Sequence, residues 1–261
     1  TAYVSLDCHR SNDLRPWIYV TRDFGASWTS ISGDLPQFGN VNVVKQDPRN
    51  PRVLYAGTEF GFFVSLDEGG SWRPLMTGLP TVRVDDVVVH PRDGDLVLGT
   101  HGRGALILDD ITPLQQLTDD VLSSEVHLFQ PRDAVRWRVD ARLARGSTGV
   151  KKFYGRNPAP GTAIHYLLRE APGSPITITI TDPVTGSVFR QMLGTTHQGM
   201  NRIQWDLRGD PPAAGRGGGR GGSPPVPLAE AGVWRVTLEV RGSTYSRLVR
   251  VLEDEWMHDS R

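Results

Sequence analysis

The sequence holds one cysteine in 261 residues, Cys8. It can form no internal disulfide and has no second cysteine for a CxxC zinc or redox motif. Charge of one sign is also missing, since 29 basic residues face 29 acidic ones. A formal balance of zero gives no general attraction to nucleic acid or anionic lipid, so neither is an expected partner. No run approaches 18 consecutive apolar residues, which excludes a membrane-spanning helix and leaves no expectation of membrane insertion. The start, Thr1-Ala2-Tyr3-Val4, shows neither an initiator Met nor a signal-peptide pattern. There is no GxSxG, Walker A, HExxH or EF-hand loop, and the seven histidines lack ligand-like spacing. No metal site and no cofactor are expected.

Glycine and proline are abundant, 29 and 19 residues, together about 18% of the chain against about 12% in an average globular sequence. They punctuate a repeat. Thr21-Arg22-Asp23-Phe24-Gly25-Ala26-Ser27-Trp28 and Ser65-Leu66-Asp67-Glu68-Gly69-Gly70-Ser71-Trp72 both read Ser/Thr-x-Asp-x-Gly-x-Ser-Trp, 44 positions apart. Gly33-Asp34-Leu35-Pro36 follows the first and Gly78-Leu79-Pro80 the second. Upstream, Asp47-Pro48-Arg49 with Val53 to Thr58 recurs as His90-Pro91-Arg92 with Leu96 to Thr100. Short runs rich in Val, Tyr, Phe and Leu between turn residues predict strands near 41–46, 53–58, 62–66 and 72–76. Four strands in about 43 residues is the pattern of a β-propeller blade.

The octapeptide has a mechanical explanation. An Asp in a tight turn accepts hydrogen bonds from nearby backbone N–H groups, Gly supplies positive φ, and Trp brings a large apolar surface to bury between blades. Asp23, Gly25 and Trp28, with Asp67, Gly69 and Trp72, are therefore expected to be structural. Recurrence at one place in each repeat assigns each carboxylate to its own turn and not to a catalytic pair.

These octapeptides resemble the Asp-box of BNR-type propellers, a family that includes sialidases and the sortilin luminal domain. Thr1 to Asp7, Val41 to Gly57, and Gly99-Thr100-His101-Gly102-Arg103-Gly104 with Leu108 to Leu114 are similar to the end of bacterial sortilin-like, YVTN/BNR-repeat proteins, often labelled glycosyl hydrolase. The resemblance implies a secreted or periplasmic protein several times longer than this chain. It also implies that the partners include N-terminal blades of the same propeller. About 118 residues at this period make about 2.7 blades, whereas propellers have roughly 4 to 8, so a partial propeller is expected over 1–118.

If the first strand of each blade is innermost, the loops joining second to third strands share one face with the loops between blades. Propeller sites lie where several blades contribute such loops. In this chain they are Cys8 to Pro16, Glu59-Phe60, His101-Gly102-Arg103, Gln37 to Asn40 and Thr81 to Asp85. His9, Arg10, Arg83, His101 and Arg103 are the candidate ligand-binding residues, mixing imidazole and guanidinium donors suited to a sugar or an anion. A glycosidase needs two opposed carboxylates, and Glu59, Asp85 and Asp13 are the candidates on this side. A sialidase also needs a Tyr nucleophile, which these loops lack.

The third repeat does not finish. After Ile107-Leu108-Asp109-Asp110 no Gly-x-Ser-Trp follows, and Thr112-Pro113 predicts an N-cap and a Pro at the first helical position. A bridging segment is expected over 119–156, with early strands near Val126 to Phe129 and Val135 to Val139. Over 157–254, period-two runs at 164–168, 176–180, 188–192, 201–207, 232–240 and 246–252 predict an antiparallel Ig-like β-sandwich. Asp182-Pro183-Val184-Thr185-Gly186 is its hairpin turn. Gly199 to Asp206 with Ala231 to Trp234 resembles the Ig-like module of flagellar hook-capping proteins. Residues 211–227 contain a formal GxGxxG, but no strand leads into it and no helix follows; with only two arginines and no aromatic, a disordered hairpin loop is expected instead of a nucleotide or RNA site.

The expected protein is thus all-β: a partial Asp-box propeller followed by a sandwich. Its expected function is to bind a carbohydrate or an extracellular protein at the channel mouth. The alternative is a glycoside hydrolase whose site is shared with other blades.

Overall fold

Short runs of β-branched and aromatic residues between Gly, Pro and Asp turns fold into strands throughout, and the protein is all-β with several separate sheets. The computed structural model describes residues 1–138, 157–211 and 226–255. It divides into two units, Thr1–Leu122 and Ser123–Arg261.

The first unit contains three antiparallel sheets in chain order. The first holds β1 (Ala2–Leu6), β2 (Trp17–Thr21) and β3 (Thr29–Ser30). The second holds β4 (Val41–Gln46), β5 (Leu54–Thr58), β6 (Phe62–Ser65) and β7 (Arg73–Pro74), and the third β8 (Val84–Val89), β9 (Leu96–Thr100) and β10 (Gly104–Leu108). Their registers repeat. Val20 faces Tyr3 and Thr29, Val64 faces Tyr55 and Arg73, and Ile107 faces Val97. Neighbouring sheets bury their faces against each other. Ile18 and Leu35 share a cluster with Val41, Leu54 and Ala56, while Val53, Tyr55 and Phe62 share another with Val84, Leu96 and Leu98. Gly57 lies where this packing is tightest: a Cβ there would stand 2.8 Å from side-chain atoms of Val43 and Val84 and 2.9 Å from the Val84 carbonyl.

After β10 the chain enters a short helix, α1 (Thr112–Gln116), and not a further outer strand. The N-cap is Ile111, without a side-chain hydrogen bond, so Thr112 is already helical and does not cap as the sequence predicted. Thr112 instead donates its amide and hydroxyl to Asp110 Oδ1, at 3.2 and 2.6 Å. Asp110 stands two residues beyond β10, as Asp23 and Asp67 stand two residues beyond β2 and β6. The third aspartate persists, but Leu108 replaces the hydroxyl residue and Thr112 the glycine, so the box turn cannot form. A second short helix, α2 (Asp119–Ser123), lies at the boundary between the units.

The second unit contains β11 (Val126–Leu128), β12 (Ala134–Arg136), β13 (Thr162–Leu168), β14 (Ile176–Thr181), β15 (Val188–Gly194), β16 (Gly199–Trp205), β17 (Gly232–Val240) and β18 (Ser243–Glu253). They form a sheet of order β11-β13-β16 and another of order β12-β18-β17-β14-β15. Ile176, Ile178 and Ile180 point inward and Thr177, Thr179 and Thr181 outward, the alternation of a half-buried strand. Both sheets contribute to one core, in which Ile164, Tyr166 and Trp205 meet the β14 isoleucines, Val236 and Leu238. The pairing of β12 with β18 is parallel, so the expected antiparallel arrangement is mixed at this edge. At the β14–β15 turn Asp182 Oδ1 accepts from the amides of Val184 and Thr185, and Gly186 takes φ 72°. The bridging residues 139–156 and nearly all of the Gly/Pro/Arg-rich stretch, 212–225, lie outside the described residues.

Candidate binding site

The two octapeptides fold alike. In the first, the Thr21 hydroxyl donates to Asp23 Oδ1 (2.8 Å) and accepts from the Gly25 amide (2.9 Å), while Ser27 donates its amide and hydroxyl to the two oxygens of Asp23 (2.9 and 2.6 Å). In the second, Ser65, Asp67, Gly69 and Ser71 repeat the pattern at 2.8, 2.8, 2.8 and 2.7 Å. Gly25 and Gly69 take φ 93° and 92°, a conformation that requires glycine. Hydrogen bonds from the Ser27 side chain and amide, then from Thr21, lower the Asp23 carboxyl to about 2. Burial pushes Asp67 up, but the Ser71 amide and hydroxyl and the Ser65 hydroxyl outweigh it and hold this carboxyl below its ordinary value. Both carboxylates are committed to their own turns.

At the opposite end of β6, three loops meet. Glu59 and Phe60 from the β5–β6 turn, Thr81, Val82 and Arg83 from the link between the second and third sheets, and His101, Gly102 and Arg103 from the β9–β10 turn line a cleft of about 380 Å³. Backbone hydrogen bonds set these loops in matching positions: the Glu59 amide donates to Asn40 O and the His101 amide to Arg83 O. Arg83 is central. Its Nε donates to Asp85 Oδ1 at 2.6 Å, and its Nη1 lies 3.3 Å from Glu59 Oε2. The bond to Asp85 raises the guanidinium further above its ordinary value, so Arg83 is a fixed cation.

His101 Nδ1 stands 3.9 Å from Asp85 Oδ2, with its side chain 80% exposed and open to a ligand. Asp7 bonds His9 Nδ1 at 2.6 Å, and that bond, more than the charge of Arg83, lowers the Asp7 carboxyl. Asp85 reaches Arg83 because β8 is bulged between Val84 and Asp86, leaving Asp85 as the extra residue. The bulge between Val41 and Val43 does the same to Asn42, whose Nδ2 donates to Val84 O and whose buried Oδ1 has no hydrogen-bond partner among the described residues.

Asp13 lies elsewhere. Its carboxylate grips Arg15 at 2.9 and 2.8 Å and accepts from Trp17 Nε1 at 3.1 Å, and these bonds, Arg15 first, hold it far below the usual carboxylate range. It lines a separate cleft with Asn12, Leu14, Arg15 and Phe38. Arg10 is exposed on the single 3-10 turn His9–Ser11. Of the residues predicted from sequence, Glu59, Arg83, His101 and Arg103 are therefore brought together on one cleft with Asp85 bonded to Arg83, whereas His9 pairs with Asp7 outside the lining and Asp13 and Arg10 stand apart. Sequence reasoning misses Asn42, which lies within β4, because a bulge leaves no motif.

No known protein family and no curated protein matches the sequence. Among solved structures, the extracellular domain of a putative hybrid two-component system from B. thetaiotaomicron is similar, at 10% identity and a TM-score of 0.29. The match covers 93% of this chain and 29% of that one. Among the described residues no group of three or more His, Cys, Asp or Glu is placed to hold a metal ion, and no helix is long and apolar enough to cross a membrane.

Chemically, the cleft offers a carboxylate acceptor at Glu59, donors at Arg83, Arg103 and His101, and the half-exposed ring of Phe60, with Asp85 behind it holding Arg83. Alternating donors and acceptors beside an aromatic face suit a polyhydroxylated ligand.

Proposed function

We propose that this chain is part of an extracytoplasmic Asp-box β-propeller, with an Ig-like module after it, and that it binds a carbohydrate at the loop cluster around Arg83. The observation that carries this is the convergence of Glu59, Phe60, Arg83, His101 and Arg103 from two adjacent repeats on one cleft. The propeller assignment is supported by the identical geometry of the two boxes and the repeated strand register. The extracytoplasmic location and the further blades rest on the resemblance of the octapeptides to the Asp-box family.

Hydrolysis is the weaker alternative. A glycosidase holds one carboxyl neutral as the acid, whereas Glu59 and Asp85 are both ion-paired to one guanidinium. A protein ligand would engage the same groups. The discriminating experiment is a glycan array with the intact chain, followed by titration of any binding oligosaccharide against Arg83→Ala and His101→Ala. A loss of tenfold or more in both variants is expected. Glycan binding that survives both, or release of reducing sugar by the wild-type chain, would contradict the proposal.

A further inference from the structure

The end of the first sheet that carries the box leaves apolar surface uncovered. Phe24 is fully exposed and Trp28 is 46% exposed. Phe24 also holds φ 60°, where a bulky side chain is an outlier. The same two positions in the second repeat are both engaged. Trp72, only 4% exposed, donates its indole N–H to Ile31 O at 2.8 Å and its amide to Asp34 Oδ1 at 2.7 Å, with Gly33 against its ring. Glu68, in the place of Phe24, pairs with Arg22 at 2.7 Å. The second residue of one box thus meets the fourth residue of the next.

At the following junction these two positions are Leu66 and Ile111, since Asp110 takes the place of Asp67. Leu66 packs on the apolar cluster that contains Ile111. Charge meets charge at one junction and apolar meets apolar at the other. Phe24 is the fourth residue of the first box and, among the described residues, has neither kind of partner.

We propose that Phe24 and Trp28 form a docking face for one further repeat of the same kind, bearing an apolar residue at the second position of its box. That repeat also carries an Ile/Leu-x-Gly-Asp-Leu segment to receive Trp28 as Ile31 to Leu35 receives Trp72. A second copy of this chain does not supply these features. Its Ile31–Leu35 segment already holds Trp72, the matching segment of its second repeat has Gly78 where Asp34 stands, and its one apolar second position, Leu66, is packed. This inference rests on the propeller reading proposed above and on the two repeat junctions, and is independent of any ligand at the cleft.

The test is a chain in which residues 1–52 are duplicated ahead of Thr1. The duplication keeps register, because Tyr3 faces Val20 as Tyr55 faces Val64, which puts Thr1 in the place of Val53. The added copy carries either Arg22 or Arg22→Leu, each combined with Phe24 or Phe24→Glu in the original copy. With Phe24, the leucine version is expected to melt about 3 °C above the arginine version. With Phe24→Glu the order is expected to reverse, and Trp28→Ala to remove the gain in either case.

The same order in both backgrounds, no difference, or failure of the leucine version alone to fold would overturn the proposal. Sedimentation equilibrium of the unfused chain supplies a second readout. A dimer that Trp28→Ala abolishes would make a second copy the occupant and overturn it equally; the expected result is that Trp28→Ala leaves the mass unchanged.

Discussion

The indole N–H of Trp72 donates to the carbonyl oxygen of Ile31 across 2.8 Å, joining the second box to the strand end that follows the first. The bond lies inside a cluster of Ile18, Leu35, Val41, Leu54 and Ala56, so one side chain ties two repeats together by shape and by a satisfied polar tip. Trp72→Ala is expected to lower stability by about 3–5 kcal/mol, the range for a buried aromatic. Trp28→Ala, at the equivalent but half-exposed position, is expected to cost less than about 1 kcal/mol. Urea denaturation of both variants checks the contrast.

Asp67→Ala removes the acceptor of three hydrogen bonds, from the Ser65 hydroxyl and the Ser71 amide and hydroxyl. A loss of about 2 kcal/mol is expected, while affinity for any ligand of the Arg83 cleft stays within a few-fold. Abolished binding at unchanged melting temperature would show the box to be functional and not structural.

The boxes also set an acid limit. The Asp23 and Asp67 carboxyls are lower in the folded protein than in an unfolded chain, so their contribution is complete above the ordinary carboxyl value of about 3.9 and is lost as pH falls below it. For Asp23 the loss extends down to about 2. Stability measured between pH 4 and 2, roughly that window, is expected to fall less steeply in Asp23→Asn than in the wild type.

Two glycines at matching strand positions differ in how tightly they are packed. Gly57→Ala would place a methyl group 2.8 Å from both valines and 2.9 Å from a backbone oxygen, and is expected to cost about 1–3 kcal/mol. Gly99→Ala, whose nearest neighbour is 3.6 Å away at Asp86 Cβ, is expected to be tolerated. Thermal denaturation of the pair reads the difference directly.

Much of this was legible in the sequence because the repeats are written in local chemistry. Glycine at a positive φ, Asp two residues past a strand, and runs of Val and Phe between prolines all act within a few residues, and the strands fall close to where those signals put them. The threonines and isoleucines of β14 declare their faces for the same reason. The site was legible only in part. Chain order placed Glu59, Arg83 and His101 on one side, but the bulges that aim Asp85 at Arg83 and Asn42 at Val84 depend on strand pairing. Asp13 lines a different cleft, and its carboxylate is held there by Arg15 and Trp17, its own neighbours, a placement that chain order does not separate from the Arg83 cluster. The third box hid its aspartate because Leu108 and Thr112 removed the two residues that make the motif recognisable.

The cleft around Arg83, and not the Asp13 cleft, is the proposed ligand site. It is tested most directly by isothermal titration of one oligosaccharide, taken from a panel of neutral and acidic glycans, against the wild type, Arg83→Ala and Asp13→Ala. At least a tenfold weaker affinity in Arg83→Ala and an unchanged one in Asp13→Ala are expected. Full affinity in Arg83→Ala together with loss in Asp13→Ala would contradict it.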